Sequence, residues 1–117
     1  MTSSGMVELK VKPLSYLSQL DESAFFSWLD KIPCVLSYEG RGDTLYVKIS
    51  NKKLDEYALR ELIALLYRYN RNMEQLAVFN LKEFASWFPD QQRYWHKAIF
   101  KQLDPKKKRI LKSKRLQ

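Results

Sequence analysis

The sequence predicts an α+β fold in which a small three-stranded antiparallel sheet is packed by four or five helices. Three features predict this fold: an N-terminal strand pattern, a later pair of strands around a glycine-containing turn, and a central helix at about 54–70. The 117 residues are 45% hydrophobic and 14% aromatic, which suffices for one compact domain with a buried core. We therefore expect a single domain over residues 1–104, followed by a basic C-terminal tail, residues 105–117.

The strands are predicted from alternation with a period of two. Residues 6–12 read MVELKVK, in which apolar and charged residues alternate, as expected for a strand with one buried face. Residues 34–49 contain two more alternating runs, and we place Gly40 and Gly42 at the positive-φ positions of a five-residue loop between them. The N-terminal strand and this hairpin make up the predicted sheet.

The helices are predicted from apolar spacing and from capping residues. Ser18 or Asp21 can cap a first helix that ends before Pro33. The central helix carries the longest apolar-periodic run, and Asn70 is expected to terminate it in the left-handed conformation. Its predicted buried stripe consists of Leu54, Ala58, Leu62, Leu65 and Tyr69.

Short helices are predicted for the rest of the chain. Asn72 with Gln75, and Asn80 with Glu83, resemble capping boxes in an asparagine variant. A last helix over 91–103 follows a further capping signal, Asp90. The pair Asp104-Pro105 is typical of a helix start, which allows the basic tail to form a short helix.

The supply of reactive side chains argues against an enzyme. The chain has one cysteine, Cys34, one histidine, His96, and three glycines, so a zinc site and a phosphate-binding glycine loop cannot be completed. A triad of Ser86, Asp90 and His96 lacks the glycines of a nucleophile elbow. We expect no catalytic residues, no cofactor and no metal.

The cellular location is predicted from the same composition. A single cysteine excludes an intramolecular disulfide, and no apolar run approaches the length of a membrane span. We therefore expect a cytoplasmic protein without membrane contact. The tripeptide Arg41-Gly42-Asp43 resembles the integrin-recognition motif, but Gly-Asp is also ordinary turn chemistry, which we favour here.

Basic residues are concentrated in the tail. Residues 105–117 contain seven Lys or Arg and no acid, which leaves residues 1–104 with 14 bases, 13 acids and a net charge of +1. Such a tail can neutralise several phosphates of a nucleic acid, although basic tails are also common as solvated ends without a partner. The candidate nucleic-acid residues are Lys106, Lys107, Lys108, Arg109, Lys112, Lys114 and Arg115.

Aromatic residues suggest a protein-binding surface. The segment SWFPD, at 86–90, interrupts the helical pattern and could expose Trp87 and Phe88 together, although we favour the interpretation in which both form a lid on the core. Tyr94 and Trp95 follow closely, and tyrosine and tryptophan are frequent at interface hot spots. These four residues are our candidates for contact with a protein partner.

Three segments also carry a resemblance to known proteins. LRELIALLYRY (59–69), MEQLAVF (73–79) and YWHKAIF (94–100) resemble small bacterial proteins carried on mobile elements or beside toxin genes, some of which are immunity proteins. The resemblance implies a cytosolic protein that binds and blocks a partner. We therefore predict a non-catalytic protein that binds another protein or itself, with nucleic-acid binding through the tail as the alternative.

Overall fold

A computed structural model describes residues 5–100, which contain three strands, three α-helices and two short 3₁₀ helices. In chain order these are β1 (Met6–Val11), α1 (Gln19–Asp30), β2 (Val35–Arg41), β3 (Thr44–Ser50), α2 (Glu56–Arg68), the 3₁₀ helices Glu74–Phe79 and Lys82–Phe84, and α3 (His96–Phe100). The predicted α+β class and the three-stranded antiparallel sheet are confirmed.

The chain divides into two compact units. Unit 1, Met1–Asn72, holds the sheet with α1 and α2, and unit 2, Met73–Gln117, holds the two 3₁₀ helices and α3. The prediction of a single domain over residues 1–104 stays a prediction. No helix within residues 5–100 combines the length and apolarity needed to cross a bilayer.

The sheet of unit 1 has the order β1-β3-β2, with β3 at its centre. Both pairings are antiparallel, and the register places Leu9 opposite Val47 on the β1 side. Alternate side chains point into the core, so that one face of the sheet is apolar and the other carries exposed charges such as Glu8, Lys10 and Lys48. The buried apolar residues of the sheet are Leu9, Val11, Leu45, Val47 and Ile49.

The hairpin between β2 and β3 is tighter than predicted. Arg41 still pairs with Thr44, so the connection is the two-residue turn of Gly42 and Asp43, and the predicted five-residue loop is wrong. Gly42 has the predicted positive φ, 62°, whereas Gly40 lies within β2 and has no positive φ. Gly40 serves close packing instead, because an added Cβ would lie 3.2 Å from Leu14 Cδ2.

Helix α1 is capped by the first of the two predicted candidates. The Ser18 Oγ atom accepts a hydrogen bond from the backbone N–H of Asp21 at 3.1 Å, as expected for an N-cap. The Trp28 indole N–H donates to the Glu61 carboxylate at 2.9 Å and so joins α1 to α2. Phe25 and Leu29 are buried on the core side of α1.

Helix α2 begins at Glu56 after an N-cap, Asp55, and most of its apolar residues are buried. Asn70 ends it with φ of 54°, which confirms the predicted left-handed terminator. The Arg71 N–H donates to the Leu66 carbonyl at 2.9 Å and the Asn70 N–H to the Tyr67 carbonyl at 3.1 Å, the two bonds of a Schellman motif. The end of α2 is therefore fixed by backbone geometry.

Asn72 and Asn80 do not cap helices as predicted. Residues 74–79 and 82–84 form 3₁₀ helices, and neither has a side-chain cap. The Asn72 side chain instead binds the edge of β1, where it donates to the Lys10 carbonyl at 2.9 Å and accepts from the Lys12 N–H at 3.2 Å. Backbone groups of Lys10 and Lys12 thus bind this side chain in place of a helix terminus.

The last predicted helix is shorter at its start. Helix α3 begins at His96, whereas the pattern predicted a start after Asp90. The Asp90 carboxylate accepts from the Gln92 N–H at 2.9 Å and holds a turn in place of a helix cap. Residues 101–103 of the predicted helix lie outside the described range.

Candidate functional site

Three of the four predicted interaction residues are buried. Trp87 is 6% exposed, Phe88 0% and Trp95 2%, whereas Tyr94 is 53% exposed. The Trp95 indole N–H donates to the Phe88 carbonyl at 2.8 Å, and the rings of Trp87 and Trp95 meet edge to face at 5.8 Å. Of the four candidates, Tyr94 alone is exposed as an anchor would be; the burial of Trp87 and Phe88 agrees with the favoured lid on the core, and the expected exposure of Trp95 is wrong. The two indoles and Phe88 form an aromatic cluster within unit 2.

The two reactive side chains singled out in the sequence, Cys34 and His96, lie in different units. Cys34 is a fully buried free thiol in unit 1, and burial raises its pKa to about 11. His96 is half-buried in unit 2, with its ring 5.3 Å from that of Phe100. Among residues 5–100, no group of three or more His, Cys, Asp or Glu side chains is placed to hold a metal ion.

The remaining sequence candidates lie in the tail and at the hairpin. All seven tail residues, from Lys106 to Arg115, lie outside the described residues. The Arg41 guanidinium lies 3.9 Å over the Tyr46 ring, and the Asp43 carboxylate accepts from the Thr44 hydroxyl at 3.0 Å. The side chains that flank Gly42 therefore make contacts within the hairpin.

A cleft in unit 1 is the strongest candidate site. It has a volume of about 620 Å³ and is lined by residues 15–17 and Asp21 on the N-terminal side of α1, and by residues 68–71 at the end of α2. Its lining combines two arginines, two tyrosines, one acid and one leucine. We refer to residues 15–22 and 68–71 together as the leucine-cleft surface.

Two leucines on this surface are almost fully exposed. Leu17 lines the cleft and is 96% exposed, and Leu20, in the first turn of α1, is 82% exposed. The backbone that carries them is held in place, because the Leu17 N–H donates to the Asp21 carboxylate at 2.8 Å while Ser18 caps the helix. Two large apolar side chains are thus presented to solvent on a fixed turn.

Aromatic rings pack against one another in the lining of the cleft and beside it. The Tyr16 ring lies 5.3 Å from that of Phe25 and 6.4 Å from that of Tyr69, and Phe25 and Tyr69 meet edge to face at 5.0 Å. Burial raises the pKa of Tyr16, and the positive charge of Arg71 opposes this rise. Burial also raises the pKa of Tyr69, and the negative charge of Asp21 raises it further. Both phenols are therefore neutral at physiological pH.

Arg71 ties the two sides of the cleft together. Its guanidinium donates to the Tyr69 carbonyl at 2.7 Å and to the Ser15 carbonyl at 2.5 Å, and it lies 5.4 Å from the centre of the Tyr16 ring. These contacts join the loop before α1 to the end of α2. Arg68 and Glu22, in contrast, are exposed on either side of the same surface.

The sequence interpretation did not identify Leu17 and Leu20, although a separate sequence signal marks each of them. A leucine just before an N-cap serine usually packs on an apolar residue four positions into the helix. In this chain that position is Glu22, so Leu17 has no such partner. Leu20 lies about 140° around the helix from the buried Phe25, outside the buried stripe.

Comparison of the chain with protein-family models, with curated proteins and with solved structures gives no match.

Proposed function

We propose that this chain is a non-catalytic cytoplasmic protein that acts by binding another protein molecule through the leucine-cleft surface. The observation that carries the proposal is the exposure of Leu17 (96%) and Leu20 (82%) on a hydrogen-bonded turn. Each leucine left in water forgoes about 1.5–3 kcal/mol that burial against a partner would recover. Because Ser18 and Asp21 already fix the backbone, little additional ordering opposes binding.

The chemistry of Cys34 and His96 supports a function without catalysis. A thiol acts as a nucleophile in its thiolate form, and a buried thiol with a pKa of about 11 holds very little thiolate at neutral pH. His96 packs beside Phe100. The free thiol also suits a reducing compartment such as the cytoplasm. The immunity-type role implied by the sequence resemblance is one form of this proposal, in which binding blocks the partner.

Site-specific photo-crosslinking in cells that express the full chain tests the proposal. A photoreactive amino acid at position 20 should give a discrete protein adduct, and the same amino acid at position 36 should not. Leu36 is the matched control because it is a half-exposed leucine of unit 1, 48% exposed, on β2. Equal adducts at both positions, or none at position 20, would overturn the proposal.

Affinity measurements with the purified, identified partner complete this test. The double variant Leu17→Ser/Leu20→Ser should bind at least about tenfold more weakly than the wild type, since each truncation removes apolar contact area. Leu36→Ser should bind like the wild type. Circular dichroism verifies that both variants are folded. Unchanged affinity of the double variant would contradict the proposed binding surface.

Nucleic-acid binding is a second candidate function, favoured by the composition of residues 105–117. Seven Lys or Arg without an acid can displace several counterions from a phosphate backbone. The full chain should shift generic DNA or RNA at low salt, and a chain that ends at residue 104 should not. Binding that survives this truncation unchanged would rule out the tail as its source.

A further inference from the structure

We propose that the partner recognised by the leucine-cleft surface is a second copy of this chain, and that the two copies pair about a two-fold axis. This inference rests on the proposed function, because it names the occupant of the same surface. A two-fold dimer buries the same patch on both subunits, so that patch must be complementary to itself in shape and in charge. The leucine-cleft surface meets both requirements.

The shape requirement is met because one surface carries both projections and a recess. Leu17 and Leu20 project into solvent, and the adjacent cleft of about 620 Å³ has Tyr16 and Tyr69 in its lining. A leucine side chain of one copy can be received by the tyrosine-lined cleft of the other. The two-fold axis then repeats the same contact in the opposite direction.

The charge requirement is met because opposite charges lie on the two sides of the surface. The first turn of α1 carries the acids Asp21 and Glu22, and the end of α2 carries Arg68 and Arg71. A two-fold axis through the cleft brings the acidic side of each copy to the basic side of the other. Asp21 and Arg71 already make hydrogen bonds within unit 1, so the exposed pair Glu22 and Arg68 is the one that can contact the partner.

The same charge pattern favours a second copy over a partner of one sign. A nucleic acid or a strongly acidic protein would gain from Arg68 and would be repelled by Asp21 and Glu22. A strongly basic protein would meet the reverse. Only a partner with both signs in the matching arrangement satisfies the whole surface, and this chain is such a partner.

Analytical ultracentrifugation of the full chain tests the apolar part of the inference. Between about 1 µM and about 1 mM, the wild type should pass from monomer to dimer with increasing concentration. The variant Leu17→Ser/Leu20→Ser should raise the dimer dissociation constant at least about tenfold, whereas the control Leu36→Ser should not change it. A wild type that remains monomeric throughout would overturn the inference.

A charge-reversal experiment tests the pairing between copies. Glu22→Arg and Arg68→Glu should each weaken self-association several-fold, because each creates like-charge contacts at both symmetric positions. Mixing the two variants in equal amounts should restore association as a heterodimer, since every contact between copies then joins opposite charges. Failure of the mixture to associate more tightly than either variant alone would contradict the two-fold arrangement.

These results also separate the inference from the proposed function. A monomeric wild type that binds a different protein, with that binding lost in Leu17→Ser/Leu20→Ser, would leave the proposed function standing and overturn the dimer. Dimerisation that depends on both leucines and is rescued by the charge-reversed mixture would support both.

Discussion

Burial at Cys34 changes the chemistry of a single side chain in a measurable way. The folded thiol has a pKa raised by burial to about 11, from an ordinary value of 9.0. At pH 8 the native chain should therefore react with a thiol reagent roughly a hundredfold more slowly than the chain in concentrated guanidinium, because a two-unit shift lowers the thiolate fraction by that factor. Absorbance of the released thiolate chromophore measures both rates. Similar rates would show that Cys34 is accessible in the native chain.

The same shift predicts how stability depends on pH. Because the folded pKa lies above the unfolded one, the contribution of Cys34 to stability is fully present below about pH 9 and is lost as the pH rises to about 11. The free energy of unfolding of the wild type, measured in urea, should fall over this interval more steeply than that of Cys34→Ala, which has no thiol to ionise. Parallel curves for the two chains would argue against this assignment.

Asn70 is a non-glycine residue with a left-handed backbone conformation. Its φ of 54° is tolerated by asparagine, favourable for glycine and costly for alanine. Asn70→Ala should lower the free energy of unfolding by about 1 kcal/mol, and Asn70→Gly should leave it unchanged or raise it slightly. Urea unfolding of the three chains measures this order. An alanine variant as stable as the glycine variant would show that the Schellman geometry does not depend on this residue.

At the scale of elements, the edge of β1 is stabilised by a side chain in place of a fourth strand. Asn72 contacts the Lys10 carbonyl and the Lys12 N–H, as a neighbouring backbone would. Asn72→Ala should lower the free energy of unfolding by about 1–2 kcal/mol, because it removes two hydrogen bonds. Asn72→Asp keeps the acceptor for the Lys12 N–H but places a carboxylate oxygen against the Lys10 carbonyl oxygen, so it should also be less stable than the wild type. Equal stability of all three chains would show that the edge needs no such partner.

The elements of unit 1 were predictable because local and tertiary preferences agree there. Alternation in β1, the Ser18 cap and the left-handed Asn70 each depend on a few neighbouring residues. Prediction failed at Asn72 because a distant group competed for its side chain. Asn72 has the spacing of a helix cap, but Lys10 of β1 and Lys12 just after it, about sixty residues earlier in the sequence, each form a hydrogen bond with its side chain.

The candidate site was less predictable than the fold, because it depends on what remains uncovered after folding. Composition indicated aromatic anchors, yet Trp87, Phe88 and Trp95 are buried in unit 2. The exposed leucines, Leu17 and Leu20, are of the same residue type as the many buried leucines, so residue type does not distinguish them. Only the missing apolar partner at Glu22 distinguishes Leu17 in the sequence, and this signal is weak without the pairing of α1 and α2 around the cleft.

At the scale of the whole molecule, charge separates the tail from the rest of the chain. Residues 105–117 supply seven of the eight net positive charges, since residues 1–104 carry only +1. If these seven cations contact duplex DNA, the logarithm of the binding constant should fall with the logarithm of salt concentration with a slope of up to about −6. Fluorescence anisotropy with a labelled duplex measures this slope.

A graded series of tails makes this prediction specific. Replacing Lys106, Lys107 and Lys108 by glutamine leaves four of the seven cations, so the salt slope should become shallower by about 2.7, since each phosphate contact contributes about 0.9. A chain in which all seven are glutamine should retain almost no binding, because the remaining net charge of +1 gives little attraction to a polyanion. The Leu17→Ser/Leu20→Ser variant is the internal control and should keep the wild-type slope. A slope that does not follow the number of tail cations would place any nucleic-acid contact elsewhere on the molecule.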